Sequence, residues 1–273
     1  MRVESLSGAN MAETLAWLGR APYDNVYVEW LIRSKQIGRD ADVYVWRERE
    51  RERVGGVCYA GIQIVPNAET GEAVEAFARR ARRIRAPRML VGPRLAVDRF
   101  WHSARAWLGT PAAVRASQPV YALDRAALRG GRADADVARA TVAEIDELVP
   151  HSAAMIAGEI GADPRGTNSD FRGRTQRIVE AGWWWRYRVD GELAFMCNVG
   201  SATPSTAQLQ GVWTPPAMRG AGHATRALAA ICDHLLETYP TLCLYVNDYN
   251  ASAIALYERV GFARAGEFAT ILL

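Results

Sequence analysis

The sequence predicts an α/β protein in two parts, a mixed sheet flanked by helices in the carboxy-terminal half and a smaller α/β amino-terminal domain before it. Three observations carry this. Strand-like and helical patterns alternate after residue 136, as they do in α/β folds. Two strand-like runs flank Asp190-Gly191, the strongest short hairpin signal. A strand near Val212 runs into a glycine-bearing turn that opens directly into a helix.

The elements follow in order. Gly55-Gly56 opens a strand over Val57 to Val65, with Gly61 inside it. Glu72 to Arg85 reads as a helix with Val74, Phe77, Ala81 and Ile84 on one face. Its arginines (Arg79, Arg80, Arg82, Arg83, Arg85) lie mostly on the other, a solvated face. Met89 to Val91 is a strand and Arg94 to Leu108 a helix. The stretch Leu128 to Asp136 is Gly-rich and polar, and it separates an amino-terminal domain at 1–130 from a second at 136–273.

In the second half, Val142 to Gly158 and Ser169 to Ala181 read as helices. Trp183 to Val189, Glu192 to Val199 and Ala207 to Trp213 read as strands. Of Trp183, Trp184 and Trp185, two face one way and one the other, so they line the core and one walls a pocket. Ala224 to Glu237 is an amphipathic helix and Leu242 to Asn247 a buried strand. Ala251 to Arg259 is a short helix stopped by Gly261, and Phe268 to Leu273 is a last strand. Strand, helix, strand, helix thus recurs in both halves, which suggests a diverged internal duplication. Where the second half has its glycine-bearing turn, the first has Val65-Pro66-Asn67-Ala68-Glu69-Thr70-Gly71.

Composition narrows the class. The chain has 273 residues, enough for two domains with real cores. Hydrophobic residues at 49% and charged residues at 23% argue against a disordered, collagen-like or disulfide-scaffold chain. No apolar run approaches the ~18 residues of a membrane span, and Met1 to Gly8 has no signal-peptide core. A cytoplasmic protein without membrane partners is expected. Only Lys35 among the 33 lysines and arginines is lysine, yet 30 acidic residues leave a net charge of +3. A nucleic-acid binder would carry a strongly basic domain, so none is expected as partner. Cys58, Cys197, Cys232 and Cys243 form no CxxC pair, and with His102, His151, His223 and His234 they give no zinc spacing. No metal is expected.

The chemistry lies in Val212-Trp213-Thr214-Pro215-Pro216-Ala217-Met218-Arg219-Gly220-Ala221-Gly222-His223-Ala224-Thr225. Small residues there let the backbone approach a ligand closely. The free N–H groups of the helix start and the helix dipole attract an anion, so the stretch reads as a pyrophosphate cradle. It is neither a P-loop, since no GKS or GKT follows, nor the GxGxxG of dinucleotide folds.

Arg219-x-x-Gly222-x-Ala224 resembles the Q/R-x-x-G-x-G/A signature of the GNAT superfamily of acyl-CoA-dependent N-acyltransferases. The run from Tyr245 to Phe262 is similar to that family's N-x-x-A-x-x-x-Y-x-x-x-G-F block, with Asn250, Ala253, Tyr257, Gly261 and Phe262 at its fixed places. The resemblance covers roughly Val137 to Leu273. The whole chain resembles a bacterial arrangement in which a poorly characterised domain, here read as a degenerate GNAT-like half, precedes a GNAT domain with its mixed twisted sheet.

The resemblance implies roles. Backbone groups of Val212 and Thr214, with Trp213 between them, would bind the pantetheine arm of acetyl-CoA. Amides of Arg219, Gly220, Ala221, Gly222, His223, Ala224 and Thr225 would hold the pyrophosphate. Asn247 and Asn250 would contact the cofactor, Asn250 doubling as a helix cap. Tyr257 would sit near the thioester sulfur and act as general acid, a phenol that can protonate a leaving thiolate. Some members place a glutamate on the strand before the loop. Here Thr206 to Gly211 holds no carboxylate, which leaves the base open between water relayed by Gln208 or Gln210, Glu159 and Asp170.

The implied activity is transfer of an acetyl group to a primary amine by direct attack in a ternary complex, by a monomer or homodimer. The alternative is a CoA-binding or sensing module that has lost catalysis. The acceptor, a small molecule or a peptide amine, is left open between an aminoglycoside, a peptide amino terminus, a protein lysine and a polyamine. Glu159, Asp163 and Asp170 cluster in sequence, as a cationic substrate would favour.

Overall fold

A computed structural model of the chain describes residues 2–48, 53–131, 136–161, 163–167 and 170–273. The amino-terminal half runs β1 (Arg2–Ser5), α1 (Met11–Leu18), α2 (Pro22–Arg33), β2 (Asp42–Arg47), β3 (Val54–Ala60), β4 (Gln63–Ala68), α3 (Gly71–Ala81), β5 (Met89–Pro93), α4 (Arg94–Leu108) and β6 (Ala113–Asp124). The rest runs β7 (Val137–Arg139), a 3-10 turn at Val142–Glu144, α5 (Ile145–Ile160), α6 (Pro164–Thr167), α7 (Phe171–Glu180), β8 (Trp184–Val189), β9 (Glu192–Ala202) and β10 (Thr206–Trp213). A second 3-10 turn at Pro216–Met218 leads to α8 (His223–Leu235), β11 (Thr241–Tyr245), α9 (Ala251–Val260) and β12 (Ala263–Leu272).

All the strands join one 12-stranded sheet in the order β1-β2-β3-β4-β5-β12-β6-β11-β10-β9-β8-β7. Read inward from its two edges, the sheet has the same plan. β1 corresponds to β7, and so on through β5 and β11, except that β6 and β12 have changed places. Pairing direction agrees: β4–β5 and β10–β11 are both parallel, and β12–β5 and β6–β11 are both antiparallel. This is the pattern that duplication followed by exchange of one strand leaves. The exchange ties the halves together, because β6 and β12 pair with each other along their length at the centre of the sheet.

Alternation of side chains sorts the core into layers. On one face α3 and α4 cover the amino-terminal strands through Val74, Phe77, Val97 and Phe100, while α8 and α9 cover the others through Leu228, Ile231 and Val260. On the opposite face lie α1 and α2, with Leu18, Val28 and Ile32, and α5 with α7. Trp184 points to the α5 and α7 layer and Trp185 to the α8 layer.

Several elements differ from expectation. Val57 to Val65 is a hairpin rather than one strand. The chain turns at Gly61, whose amide bonds Gln63, and Ile62 is left 55% exposed. The helix expected to reach Arg85 ends at Ala81, and Ala86, directly before Pro87, takes a positive φ of 47°. β1, α1, α2, β2, β6 and β7 were not expected as elements. Residues 132–135 of the Gly-rich stretch and Ser169, the expected start of a helix, lie outside the described residues. The four cysteines are buried and free. No helix among the described residues is long and apolar enough to cross a membrane.

Candidate active site

The parallel pair β10–β11 makes ladder contacts only at Thr206–Thr241, Ala207–Leu242 and Gln208–Cys243. Beyond that the strands part. The cause lies on the other side of β10, whose register against β9 slips between Gln208 and Leu209 and again between Gln210 and Trp213. Bulges of this kind bend a strand and re-aim its side chains. Gly211 sits inside the second slip at φ 65°, where a Cβ would lie 2.5 Å from the Asn198 side-chain oxygen, so only glycine fits.

The parting strands open a cleft of about 400 Å3 lined by Gln208, Gln210, Val212, Asn247, Asn250 and Tyr257. At its end the chain turns through residues 214–222 into α8. Gly220 and Gly222 take positive φ of 83° and 79° with open space around them, so conformation rather than crowding calls for glycine. The amides of Gly220 through Thr225 make no hydrogen bond with any described residue, and no side chain caps the helix. Orphan amides at a helix start, with the dipole behind them, form an anion site. This cradle, continuous with a splayed strand edge, fits a pyrophosphate carried on an extended arm.

The other expected residues fall as follows. Arg219 braces the turn: its Nε donates to the Thr214 carbonyl at 3.0 Å and its guanidinium lies 4.7 Å from the Trp213 ring centre. The carbonyl of Thr214 is therefore engaged. His223 begins α8 with its ring 6.1 Å from Tyr187, and its buried Nδ1 has no partner among the described residues. Asn250 caps α9, its Oδ1 accepting from the Ala253 amide at 3.2 Å and the Ser252 hydroxyl at 3.0 Å. Tyr257 is 5% exposed, stands 6.3 Å from the Tyr121 ring, and its hydroxyl bonds no described residue. Burial, then the neighbouring Cys197 and Glu159, push its phenol well above the usual range, so it stays protonated.

The candidates for the base separate. Glu159 lines the cleft, as do Gln208 and Gln210. Asp170 pairs with Arg177 at 2.6 Å and Asp163 with Arg165 at 2.6 Å, both on the surface. Two residues not foreseen, Arg115 and Gln118, reach the cleft from β6. No local signal marks them, since only strand exchange brings β6 beside β11. Among the described residues no group of three or more His, Cys, Asp or Glu could hold a metal ion.

The equivalent place in the amino-terminal half is closed. Only residues 69–70 link β4 to α3, and the Thr70 hydroxyl caps the helix by accepting from the Ala73 amide at 3.3 Å. Glu69 puts its own negative charge there, bonded by Trp17, Arg20 and Arg53. Among the described residues, a helix start of this open kind after a parallel strand is found in the carboxy-terminal half and not at the equivalent place in the amino-terminal one.

A mixed sheet splayed at one parallel pair is thus followed by free amides at the next helix start. The chain carries a domain of the acetyltransferase (GNAT) family, whose model matches residues 158–262, and residues 43–148 match a domain of unknown function, DUF4081. Among solved structures it is similar to a GNAT-family acetyltransferase from Colwellia psychrerythraea (13% identity, all of both chains, TM-score 0.58). It is similar to a Drosophila protein (13% identity, 99% of this chain and 98% of that one, TM-score 0.71). It also resembles a tandem GNAT protein from the clavulanic acid biosynthesis pathway (15% identity, 98% and 97%, TM-score 0.53). No curated protein matches the chain.

Proposed function

We propose that the protein is an N-acetyltransferase that moves the acetyl group of acetyl-CoA to a primary amine by direct attack within a ternary complex. The observation that carries this reading is the run of free amides from Gly220 to Thr225 opening into a cleft that holds Tyr257. Acetyl-CoA would supply the activated acyl group as a thioester. The amides from Gly220 to Thr225 hold the pyrophosphate, with the Arg219 side chain keeping the turn in shape. The strand edge at Val212, Trp213 and Thr214 aligns the pantetheine arm, and Asn247 and Asn250 flank it.

Tyr257 donates its proton to the leaving sulfur. A thiol has an ordinary pKa of about 8.5 and a phenol of about 10, and dry surroundings that raise the phenol raise the thiol with it. Glu159, the one candidate carboxylate lining the cleft, takes the amine's proton through water, with Gln208 and Gln210 orienting that water. The division into 1–130 and 136–273 belongs to this reading as a division of labour: the second part carries the chemistry and the first completes its sheet.

The test is acetyl-CoA binding by calorimetry alongside thiol release with a panel of amines, for the wild type and Tyr257→Phe. Release that depends on an amine and on Tyr257 is expected. Tight binding with no amine acetylated would leave a CoA-binding module instead, and no binding would remove both readings.

A further inference from the structure

A second, larger space of about 850 Å3 lies beside the cleft and shares Arg174, Ile178, Gln208, Gln210 and Tyr245 of its lining with it. Helix α2 is its inner wall. It packs on β4 and β12 and also on β9 and β10, so the long sheet curls round it. Both halves of the chain therefore build the chamber.

Its lining is aromatic. Tyr27 meets Tyr59 edge-on at 5.9 Å and Trp30 at 6.1 Å, and Trp30 reaches Trp183 at 6.0 Å. One carboxylate lines it, Asp24 on α2, which makes no hydrogen bond or ion pair with any described residue. Burial raises its pKa. Asp24 is half-buried in the first turn of α2, where the helix dipole favours its charge; a carboxylate with no protein partner facing an aromatic cavity is also the kind of group that marks a functional site. Two cations of α7 also line the chamber: Arg177 is paired with Asp170, and Arg174, exposed on its other side, lines the cleft as well and lies close enough to Tyr27 to act on its phenol.

We propose that this chamber is the acceptor site, and that it takes a small alkylammonium compound with an apolar or aromatic body whose positive nitrogen is held by Asp24. The inference rests on the acetyltransferase reading for the word acceptor, but not for the binding itself. Aromatic faces add to the attraction for a cation in a desolvated space. A volume of this size matches small-molecule sites. A polyhydroxylated polycation would need several carboxylates, and the chamber offers one. The amino-terminal half, without a cradle of its own, thereby supplies the substrate wall for the half that has one.

The test titrates tryptamine, 1,5-diaminopentane and indole-3-propionate into the full chain by calorimetry, for the wild type and Asp24→Asn. Tryptamine carries the aromatic body with a positive charge, indole-3-propionate the same body with a negative one, and the diamine a charge at each end. Expected is binding of tryptamine or the diamine at least about tenfold tighter than the propionate, and at least about tenfold weaker in Asp24→Asn. The variant should keep its acetyl-CoA affinity and melt within a few degrees of the wild type, since it loses only a half-exposed charge in the first turn of α2. Failure of both amines to bind, equal binding by Asp24→Asn, or preference for the propionate overturns the proposal. Asp24-dependent binding with no acetyl transfer would instead overturn the acetyltransferase reading and leave the chamber standing.

Discussion

Gln118 holds Asn247: its side-chain Nε2 donates to the Asn247 Oδ1 at 2.9 Å, a contact between β6 and the residues after β11. Gln118 is 1% exposed and accepts the Thr270 hydroxyl on its other end. One buried amide thus ties both exchanged strands to the rim of the cleft. Replacing it by alanine leaves two polar groups without partners, a loss of about 2 kcal/mol in stability. Denaturant unfolding of Gln118→Ala measures this, and the KM for acetyl-CoA should rise with it because Asn247 is released.

Gly222→Ala places a Cβ in the left-handed region, at a conformational cost of about 1 kcal/mol, with nothing within 4 Å to clash. The turn relaxes by giving up its conformation, and the amides lose their common direction. An increase of about tenfold in the KM for acetyl-CoA with kcat little changed is expected. Gly109→Ala, at φ 85° and equally open space after α4, should lower stability alone.

Tyr257→Phe removes the hydroxyl from the cleft and leaves the ring packing on Tyr121 and Phe262. Stability should be unchanged or slightly raised. A fall of about 100-fold in kcat is the expected size for loss of a general acid, with acetyl-CoA binding retained. A variant with full kcat would remove Tyr257 from the chemistry.

Glu144 anchors α5 to β8. Burial opposes its ionisation, but the Thr141 amide and the Arg188 and Arg186 guanidinia outweigh that and hold it down to about 2. The folded carboxyl is depressed below its unfolded value, so its contribution is present above about pH 4.5 and is lost as pH falls towards 2. On the order of 1–2 kcal/mol is at stake after allowance for partial exposure. Unfolding free energy measured across pH 2–6 should fall less steeply in Glu144→Gln than in the wild type.

Residues 136–273 expressed alone lack β6, which lies between β11 and β12 in the sheet. The fragment would leave a long unpaired strand edge, a known route to aggregation. Insoluble product is expected, with soluble protein recovered on co-expression with residues 1–131. A monomeric, cooperatively folding fragment would show that β12 can close onto β11 directly.

Short-range patterns made much of the chain readable, most of all its carboxy-terminal half. Asp190-Gly191 announced its hairpin, Gly261 ended α9 at φ 110°, and α4 spans Arg94–Leu108 as its periodicity predicts. That the turn at 214–222 and Tyr257 would lie on one cleft was legible because the turn opens α8 and Tyr257 stands on α9, the next helix after one strand. Gln118, Arg115 and Asp24 were not, since each reaches its place from an element far away in the chain. β6 was missed outright: Ala113 to Gln118 pairs at the sheet centre with β12, and nothing in its own residues says which strands will flank it.

By itself the sequence determined many of the local elements and the glycine-bearing turn that opens α8, because backbone preference, capping and glycine conformation act over a few residues. Only the tertiary structure decided that β6 and β12 trade places, that the sheet curls round α2, and that Asp24 stands unpaired among rings from both halves. Strand partners and shared cavities depend on which apolar faces bury together, and that is settled between segments more than a hundred residues apart, as with the tie from Gln118 to Asn247.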